Sequence, residues 1–492
     1  MPAHQAAFDE TAMSHEPRAG QAPRSSFWTL DRVRAALSHL ASTNLPRGSG
    51  SFGRVSTDTR TIEPGDLFVA LVGERFDAHD FLGDAVAKGA GGLVVDHAEA
   101  GRQLGVPVFA VRDTLVALGA LGTYRRRAWN KPVVAVVGTN GKTSTKELVR
   151  AALGSMLEVH ATAGNLNNLI GVPLTLLAIP DHADVAVVEM GTNQPGEVSR
   201  LRAIVEPDVT IVTSVAEEHL EGLGDLAGVL REELAAADGV PVAIVPASQP
   251  EVVDAARRLA GRVVAAGLDA GDVHATGWAV HADGSGTVTI DGIAVSVPLR
   301  GVHNLRNAML ALAAARELGA SYEAAARGIA AMPTPPMRVS CEQLGAVTLI
   351  NDAYNSNPGS ARAAIDLLRH VGADGGGTNA GRSGADRQRV AVLGTMLELG
   401  AQTPQLHDDV ARHALAGGVD LVAAVGEFAA ALDRVAPGDP RIVTATDVDA
   451  LWAKLSSRLA PDAVILLKGS RGMRLERLVK PITDWATTAT IR

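Results

Sequence analysis

The chain of 492 residues is poor in cysteine and in aromatic residues, with 1 cysteine and only 3% Phe, Trp and Tyr. Cys341 has no second cysteine with which to form an internal disulfide, so a reducing compartment, the cytoplasm, is expected. Because aromatic side chains are scarce, the cores must be built mainly from Ala, Val and Leu. The formal net charge of −9 argues against a general nucleic-acid-binding protein.

Long apolar segments are also absent. No run is long enough to span a membrane, and residues 1–26, which are rich in Ala, Pro and polar residues, lack the apolar segment of a signal peptide. We therefore expect no membrane insertion, and we interpret residues 1–26 as a disordered leader. A length of 492 residues exceeds what one core supports and predicts about three domains.

The stretch VVAVVGTNGKTSTKELV, residues 133–149, predicts a phosphate-binding loop. Residues 133–137 are all apolar and predict a buried strand of a parallel sheet. Glycines in the next turn let the backbone approach an anion closely, and the N–H groups at the helix start point at that anion. Lys142 supplies a positive charge for the outer phosphates, and the Thr143 hydroxyl can reach Mg²⁺. The residues predicted to bind ATP here are Gly138, Thr139, Asn140, Gly141, Lys142, Thr143 and Ser144.

The match to the standard eight-residue phosphate loop is incomplete, because Val136 stands where that pattern has glycine. An ordinary glycine-containing turn between a strand and a helix is therefore the alternative interpretation. The Lys-Thr pair, placed directly after an all-apolar strand, favours nucleotide binding over that alternative.

The predicted fold class is α/β with three domains. Residues 27–130 mix a short helix with strands, and residues 131–332 alternate apolar strands with helices, which is typical of a parallel sheet. In that second segment, residues 274–299 carry tight-turn signals and predict a small antiparallel sheet. Residues 333–492 open on the linker PTPP and repeat the α/β rhythm, with a glycine-rich insertion at 372–386.

Polar side chains stand at the ends of three strands of the second domain. Thr143 follows the first strand, Glu189 closes the strand at 184–190, and His219 follows the strand at 208–215. Ligands bind at the carboxyl ends of parallel strands, so a hydroxyl, a carboxylate and an imidazole would converge at this edge of the sheet. Together these groups would suit Mg²⁺ bound with phosphate, although Mg²⁺ prefers oxygen ligands. Taken alone, His219 fits a histidine of a surface loop better than a metal ligand.

Two further groups of polar residues leave alternatives open. Asn304 and Asn307 begin an Ala-rich helix, where their amides could either read a base or cap the helix. Lys468, Ser470 and Arg471 form a strand-to-helix turn that is either a second anion site or a solvated basic turn.

These motifs together resemble the Mur ligase family over nearly the whole chain past residue 26. They occur in the family's order, and DAYNSNP points to its D-alanyl-D-alanine-adding branch. The segments are GTNGKTSTK (138–146), GNLNNLIGVPLTLL (164–177), EMGTNQPGEV (189–198), EHLEGLGDLAG (218–228), HNLRNA (303–308), NDAYNSNP (351–358), VLGTMLELG (392–400) and LLKGSRGM (466–473).

The resemblance implies an N-terminal UDP-binding domain, a central ATPase domain and a Rossmann-like C-terminal domain. It implies an amide ligase that uses ATP and Mg²⁺ to join D-alanyl-D-alanine to UDP-N-acetylmuramoyl-tripeptide. The reaction would pass through an acyl phosphate and belong to peptidoglycan precursor synthesis. We expect the protein to be a monomer. There are two alternatives. The first is another ligase of the same superfamily, such as an earlier Mur ligase or a folylpolyglutamate synthase, and the DAYNSNP segment argues against it. The second is a nucleotide-binding switch without ligase activity.

The resemblance also implies roles for individual residues. Lys142, Glu189 and His219 would be catalytic, with Thr143, Glu189 and His219 at the metal. The remaining ATP contacts would be Asn304, Asn307, Arg338 and Asp352. The substrate-binding residues would be Ser56, Thr57, Asp58, Thr59, Arg60, Asp77, His79, Asn167, Asn168, Tyr354, Asn355 and Asn357.

The chain departs from the family pattern at three places. Ala78 stands where the family usually has Gly, and Thr395 stands where it usually has Asp. Many members carry a lysine, carbamylated by CO₂, in the helix after the His-Leu-Glu-Gly segment, whereas LREEL (230–234) has none. We predict that Glu233 replaces that lysine as a metal ligand, with Glu232 as the second choice. The alternative is that both glutamates are exposed charges on the helix, and we expect this to hold for at least one of the two.

Overall fold

The computed structural model describes residues 27–73, 76–333, 337–371 and 387–489. They form two compact units. One comprises the described residues up to Asn130 together with Ala163–Asp181, and the other comprises Lys131–Thr162 together with the described residues from His182 onward. The predicted leader, the linker residues 334–336 and the insertion 372–386 lie outside the described residues. The boundaries at residues 130 and 332 stay predictions.

The first unit is a small mixed α/β domain, as predicted. Strands β3, β4, β7 and β8 form a parallel sheet in that order, and β1–β2 and β5–β6 are antiparallel pairs. The elements are β1 (Trp28–Thr29), α1 (Leu30–Leu37), β2 (Ser51–Phe52), β3 (Val55–Ser56), β4 (Leu67–Val69), β5 (Val72–Gly73), β6 (Phe76–Asp77), α2 (Leu82–Ala87), β7 (Gly92–Val95), β8 (Val108–Ala110) and α3 (Thr114–Trp129).

Side-chain caps begin two helices of this unit, α1 and α3. The Thr29 hydroxyl accepts the N–H of Arg32 at the start of α1, and the Asp113 carboxylate accepts two N–H groups at the start of α3. The helix Gly171–Leu177 packs on α3, since a Cβ added at Gly122 would lie 3.0 Å from the Cα of Pro173. This packing explains why residues 163–181 cluster with the first unit, an association that the sequence did not predict.

Residues 131–332 form a seven-stranded parallel sheet in the order β10-β11-β9-β12-β13-β14-β15 and a separate antiparallel sheet β16-β17-β18. The elements are β9 (Val133–Val137), α4 (Lys142–Gly154), β10 (Val159–Ala161), α5 (Gly171–Leu177), β11 (Val185–Glu189), α6 (Glu197–Val205), β12 (Val209–Val212), α7 (Leu220–Leu223), α8 (Leu226–Leu234), β13 (Val242–Pro246), α9 (Pro250–Ala256), β14 (Arg262–Gly267), β15 (Val273–His274), β16 (Gly277–Val280), β17 (Gly286–Ile290), β18 (Ile293–Val297), α10 (Val302–Glu317) and α11 (Tyr322–Ala330).

The central sheet matches the predicted pattern except at one edge. The five residues of β9 are fully buried, as their continuous apolar run predicts. β11 and β12 flank β9 in parallel register, so all three strands end at the same edge of the sheet. The prediction that the antiparallel sheet begins at His274 is wrong, because His274 pairs in parallel with Gly267 and belongs to the large sheet.

The third segment is a Rossmann-like sheet in the order β19-β20-β24-β21-β22-β23, in which only the edge pair β19–β20 is antiparallel. The elements are β19 (Ser340–Leu344), β20 (Val347–Asp352), α12 (Pro358–His370), β21 (Arg389–Leu393), α13 (Thr403–Leu415), β22 (Leu421–Val425), α14 (Glu427–Val435), β23 (Ile442–Ala445), α15 (Val448–Leu455), β24 (Val464–Lys468) and α16 (Val479–Ala489). Thr395, at the second departure from the family pattern, accepts the N–H of Glu427 and so caps α14.

Across the described ranges, helices of sufficient length and hydropathy to cross a membrane were not found.

Candidate active site

The phosphate loop runs from the end of β9 to the start of α4 and requires its two glycines. Gly138 and Gly141 have φ values of 118° and 86°, which side chains rarely adopt. A Cβ at Gly138 would lie 2.3 Å from Thr213 Oγ1, and a Cβ at Gly141 would lie 2.7 Å from Asn307 Nδ2. Both glycines are therefore fixed by their backbone and by close neighbours.

The loop is anchored by the residues that follow β12. The backbone N–H of Thr139 donates to Ser214 O at 2.8 Å, and the N–H of Asn140 donates to Ser214 Oγ at 3.1 Å. The Lys142 ammonium lies over the loop and donates to Gly138 O at 2.6 Å. Ser144, in the first turn of α4, is half-buried. The loop thus has a fixed shape, with the Lys142 ammonium hydrogen-bonded to its carbonyl oxygens.

Thr143 and Glu189 are brought together by the neighbouring strands β9 and β11. The Thr143 hydroxyl donates to Glu189 Oε2 at 2.9 Å, and Glu189 is 2% exposed. A carboxylate buried this deeply is costly unless it is hydrogen-bonded or paired with a cation. The two oxygen groups have the donor chemistry that suits Mg²⁺.

The adjacent glutamates of α8 face different partners. Glu233 accepts the N–H of Gly138 at 2.7 Å, whereas Glu232 accepts the N–H groups of Gly196 and Val198 at 2.7 and 2.8 Å. Burial raises the pKa of Glu233 to about 7, against the opposing effects of Lys142 and of the Gly138 hydrogen bond. The expectation that at least one of these glutamates is an exposed charge is wrong, because both are buried.

His219 lies at the start of α7 with a left-handed φ of 53°. Its Nδ1 contacts the carboxylate of Glu398, which belongs to the third segment. Burial lowers the pKa of His219, but the hydrogen bond to Glu398 and the charge of Glu218 outweigh burial and raise it overall. The same bond lowers the pKa of Glu398. The interpretation of His219 as a surface-loop histidine is therefore wrong, because its side chain is only 21% exposed and contacts Glu398.

Asn304 and Asn307 lie in the first turns of α10. Asn304 Nδ2 donates to Arg300 O at 2.8 Å, and Asn307 Nδ2 donates to Asn304 Oδ1 at 3.1 Å. The helix begins after Gly301 without a side-chain cap, so the capping alternative is wrong. Since the Asn307 amide packs against Gly141, it lies directly beside the phosphate loop.

The segment after β20 meets the phosphate loop. Asn357 Nδ2 donates to Asn140 Oδ1 at 2.8 Å, and Asn355 Nδ2 donates to Glu218 Oε1 at 3.2 Å. Asp352 forms a 2.8 Å ion pair with Lys468, whose side chain is 3% exposed. The interpretation of Lys468 as part of a solvated basic turn is thus wrong.

Two arginines flank one tyrosine ring in this segment. The Arg338 guanidinium lies 4.3 Å from the Tyr354 ring centroid, and the Arg471 guanidinium lies 5.3 Å from it. Both distances are within the range of cation–π interactions. The predicted ATP residue Arg338 and the predicted acceptor residue Tyr354 are therefore direct neighbours.

The other predicted substrate residues lie in the first unit, where several hold the local backbone. Arg60 pairs with Asp58 at 2.6 Å, and its hydrogen bond is the main reason that the pKa of Asp58 is lowered. Asp77 Oδ1 lies 2.7 Å from His79 Nδ1. The remaining positions are Ser56 at the end of β3, Thr57 and Thr59 in the loop after it, and Asn167 and Asn168. The Asn168 side chain accepts the N–H groups of Ile170 and Gly171.

The fold and this site together define a three-domain phosphate-loop protein in which the loop is in contact with the third segment. Family models match most of the chain: "Mur ligase family, catalytic domain" over residues 52–152, "Mur ligase middle domain" over 136–315, and "Mur ligase, glutamate ligase domain" over 337–471. The chain belongs to the Mur ligase family.

Individual relatives cover nearly all of the chain. The UDP-N-acetylmuramoyl-tripeptide–D-alanyl-D-alanine ligase of Escherichia coli (strain K12) is 35% identical, over 88% of this chain and 94% of that protein. The protein of the same name from Bacillus subtilis (strain 168) is 32% identical, over 87% and 93%. A crystal structure of MurF from Acinetobacter baumannii has a TM-score of 0.81 at 30% identity, covering 93% of this chain and 99% of that one.

Two parts of the site were missed by the sequence analysis. Glu398 lies within the quoted segment VLGTMLELG but was given no role, and Ser214, which holds the loop backbone, was not considered. The family segment itself was the available signal for Glu398. For Ser214 the signal was its place two residues after β12, at the same sheet edge as the loop.

Proposed function

We propose that this chain joins D-alanyl-D-alanine to UDP-N-acetylmuramoyl-tripeptide with hydrolysis of ATP to ADP and phosphate. The observation that carries the proposal is the hydrogen bond from Asn357 to Asn140, which joins the DAYNSNP segment to the phosphate loop. A phosphoryl group held on that loop lies beside the segment expected to receive the amine acceptor. The names of the relatives supply the substrates.

The reaction has two steps. An oxygen of the tripeptide's terminal carboxylate attacks the γ-phosphorus of ATP, ADP leaves, and an acyl phosphate forms. The free amine of D-alanyl-D-alanine then attacks the acyl carbon, the tetrahedral intermediate loses phosphate, and an amide remains. The first step is needed because a carboxylate is a poor electrophile until one of its oxygens becomes part of a phosphate leaving group.

The phosphate loop provides most of the machinery for the first step. Its N–H groups bind the phosphates, and Lys142, now hydrogen-bonded to Gly138 O, would turn to the γ-phosphate and offset the charge that develops there. Thr143, Glu189, His219 and Glu233 would hold Mg²⁺. Bound there, Mg²⁺ would neutralise phosphate charge. The Thr143–Glu189 oxygen pair and the buried Glu233 carboxylate are the observations that fit such an ion.

The other predicted site residues would bind the parts of ATP and of the two substrates, each group of residues in its own domain. Asn304 and Asn307 would read the adenine, and Arg338 and Asp352 would contact the nucleotide from the third segment. Tyr354, Asn355 and Asn357 would line the dipeptide site. In the first unit, the loop 56–60 with Asp77 and His79 would bind the uridine nucleotide, and Asn167 and Asn168 would lie beside the muramoyl peptide. We infer a cytoplasmic monomer.

The test is ADP release by the purified protein against a panel of UDP-muramoyl peptides and amine acceptors. We expect release only when UDP-N-acetylmuramoyl-tripeptide and D-alanyl-D-alanine are both present. Turnover with an earlier muramoyl peptide and a single amino acid would indicate another ligase of the superfamily, and hydrolysis independent of both substrates would indicate a nucleotide switch.

A matched pair of lysine variants makes this assay specific for the phosphate loop. Lys142→Ala should lower turnover by on the order of 100-fold or more, because a charge positioned on the transferring phosphoryl group contributes about 3 kcal/mol. Lys480→Ala, at a lysine that is 83% exposed, should not. Unchanged turnover in folded Lys142→Ala would contradict the role given to this residue.

A further inference from the structure

A cluster of two histidines and one aspartate lies in the first unit, apart from the groups assigned to phosphoryl transfer. His79 is in the short 3-10 helix Ala78–Phe81 that follows β6, and Asp96 and His97 directly follow β7. One side-chain donor atom from each of the three residues lies within 4.8 Å of the other two. We propose that His79, Asp96 and His97 bind a divalent transition-metal ion of the zinc class.

The geometry places three donors around one point. His79 Nε2 lies 3.2 Å from Asp96 Oδ1, and His97 Nδ1 contacts the same carboxylate oxygen. The two imidazole rings are 4.9 Å apart and inclined by 30°. The His79 side chain is 6% exposed, so this ligand is already held in place by the fold.

The contacts of His79 place its Nε2 beside the Asp96 carboxylate. Nδ1 lies 2.7 Å from Asp77 Oδ1 on the other side of the ring. Nε2 accepts the backbone N–H of Asp96 and lies 3.2 Å from Asp96 Oδ1. A cation between this nitrogen and this carboxylate oxygen would be attracted to both atoms. His97 Nδ1, which contacts the same oxygen, would supply the third donor atom.

Asp77 supplies a second observation that points to a metal. Histidines that bind metals usually donate their other ring N–H to a carboxylate, which fixes the tautomer and the ring orientation. The Asp77–His79 pair has this arrangement, and Asp77 stands outside the three-residue cluster. The His79 ring is therefore oriented with Nε2 toward the proposed ion.

The donor set selects the class of metal. Two imidazoles and one carboxylate suit Zn²⁺ and neighbouring transition ions, whereas Mg²⁺ prefers oxygen ligands. Three protein ligands leave one tetrahedral position for water or an oxygen ligand. The ion would join the 3-10 helix Ala78–Phe81 to the end of β7. His79 and Asp77 are also assigned to the uridine nucleotide of the proposed ligase, whereas Asp96 and His97 have no part in that reaction.

The experiment is a titration of the full-length, chelator-treated protein with Zn²⁺ alone, by calorimetry, without nucleotide or Mg²⁺. We expect a site with a dissociation constant in the micromolar range or tighter and a rise in the thermal midpoint, because an ion that binds only the folded state stabilises it. Because His219 and its carboxylates could also take Zn²⁺, the signal assigned to this cluster is the difference between wild type and His97→Ala. The visible absorption spectrum of bound Co²⁺, compared between wild type and His97→Ala, measures the same difference independently.

Three variants decide the outcome. His97→Ala should remove the site, and Asp77→Asn, which keeps all three ligands, should weaken it about 10- to 100-fold. His39→Ala, at an exposed histidine of the same unit, should bind as wild type does. His97→Gln serves if His97→Ala fails to fold, as judged by circular dichroism. Equal Zn²⁺ binding by wild type and His97→Ala, or no site tighter than about 100 μM, would overturn the proposal whether or not the ligase assay succeeds.

Discussion

His219 and Glu398 are 179 positions apart in the sequence, and their side chains are in direct contact through His219 Nδ1. The backbone supports this contact, because Glu221 N donates to Glu398 O at 3.2 Å. Both residues have left-handed φ values, 53° and 65°. The loop of the third segment therefore docks on the start of α7 and leaves His219 Nε2 as the nitrogen available to a ligand.

Glu398→Ala should weaken metal binding at the proposed ATP site. The carboxylate orients the imidazole, and loss of such a partner typically costs 10- to 100-fold in metal affinity or activity. We therefore expect the Mg²⁺ concentration for half-maximal turnover to rise about 10-fold or more. Binding of Mn²⁺ to the ATP-bound protein, followed by electron paramagnetic resonance, should weaken in parallel.

Two further variants separate orientation from general damage. Glu398→Gln keeps an oxygen that accepts the His219 N–H, so it should recover most of the Mn²⁺ affinity. Glu342→Ala, at an exposed glutamate of the same segment, should behave as wild type does. If Glu398→Ala binds Mn²⁺ as tightly as wild type, Glu398 has no positioning role.

Variants of Asn357 should separate helix capping from the contact with the phosphate loop. Its Oδ1 accepts the N–H of Ser360 at 2.9 Å, and its Nδ2 donates to Asn140 at 2.8 Å. Asn357→Ala removes both interactions. In Asn357→Ser the hydroxyl can still cap the helix, but the shorter side chain does not reach Asn140. Loss of an N-cap costs about 1 kcal/mol, and loss of one hydrogen bond costs about the same.

We therefore expect Asn357→Ala to lower the free energy of unfolding by about 2 kcal/mol in urea denaturation, and Asn357→Ser to lower it by only about 1 kcal/mol. Asn357→Ala and Asn357→Ser should both lower ligase turnover, each by roughly 10-fold. If Asn357→Ser turns over as wild type does, the contact with Asn140 contributes nothing to catalysis, and capping is the only role of Asn357.

The sequence predicted those parts of the site that depend on local pattern. The apolar run 133–137 and its turn predicted the loop, and the strand ends predicted that Thr143 and Glu189 lie together. These inferences succeed because the ends of neighbouring parallel strands share one edge of the sheet. Strand alternation likewise predicted the α/β class.

The remaining features depend on packing between distant elements. Neighbouring positions on a helix point about 100° apart, and both Glu232 and Glu233 are polar, so periodicity alone does not tell which faces the loop. Only the placement of α8 makes Glu233 the partner of Gly138. In the same way, the pairing of Glu398 with His219 requires two segments far apart in the chain to dock, which no local pattern encodes.

Stability should fall in mild acid because of His303. Burial lowers the pKa of His303 to about 4, Asp352 acts in the opposite direction, and the ring accepts a hydrogen bond from Asn304 at Nε2. Between pH 4 and 6.5 the unfolded chain binds more protons at this residue than the folded chain does. The contribution of His303 is therefore complete above pH 6.5 and is lost as the pH falls toward 4.

Between pH 7 and pH 5 this loss amounts to about 2 kcal/mol of unfolding free energy. We expect His303→Asn to show a pH dependence smaller than that of wild type by about this amount in urea denaturation. His281→Asn, at an exposed histidine, controls for the loss of an imidazole. Equal pH dependence in wild type and His303→Asn would show that His303 is not held neutral by the fold.

Glu233 should make turnover independent of CO₂. Its carboxylate is buried against the phosphate loop, where the family resemblance places a lysine that gains a carboxylate-like group from CO₂. A glutamate already supplies an anionic oxygen ligand, so no such modification is needed. We expect stripping of CO₂ at slightly acid pH to leave wild-type turnover unchanged. Glu233→Ala should lower it on the order of 100-fold while UDP-substrate binding stays nearly unchanged.

Glu233→Lys provides the converse test. A lysine at this position places a cation beside Lys142, which should abolish turnover when CO₂ is removed. Added bicarbonate should restore part of the turnover, because carbamylation converts the ammonium into an anion that reaches the same place. Glu251→Ala, at an exposed glutamate, should be indifferent to both treatments. Full activity of Glu233→Ala, or wild-type turnover that follows the CO₂ concentration, would show that Glu233 does not take the place of the modified lysine.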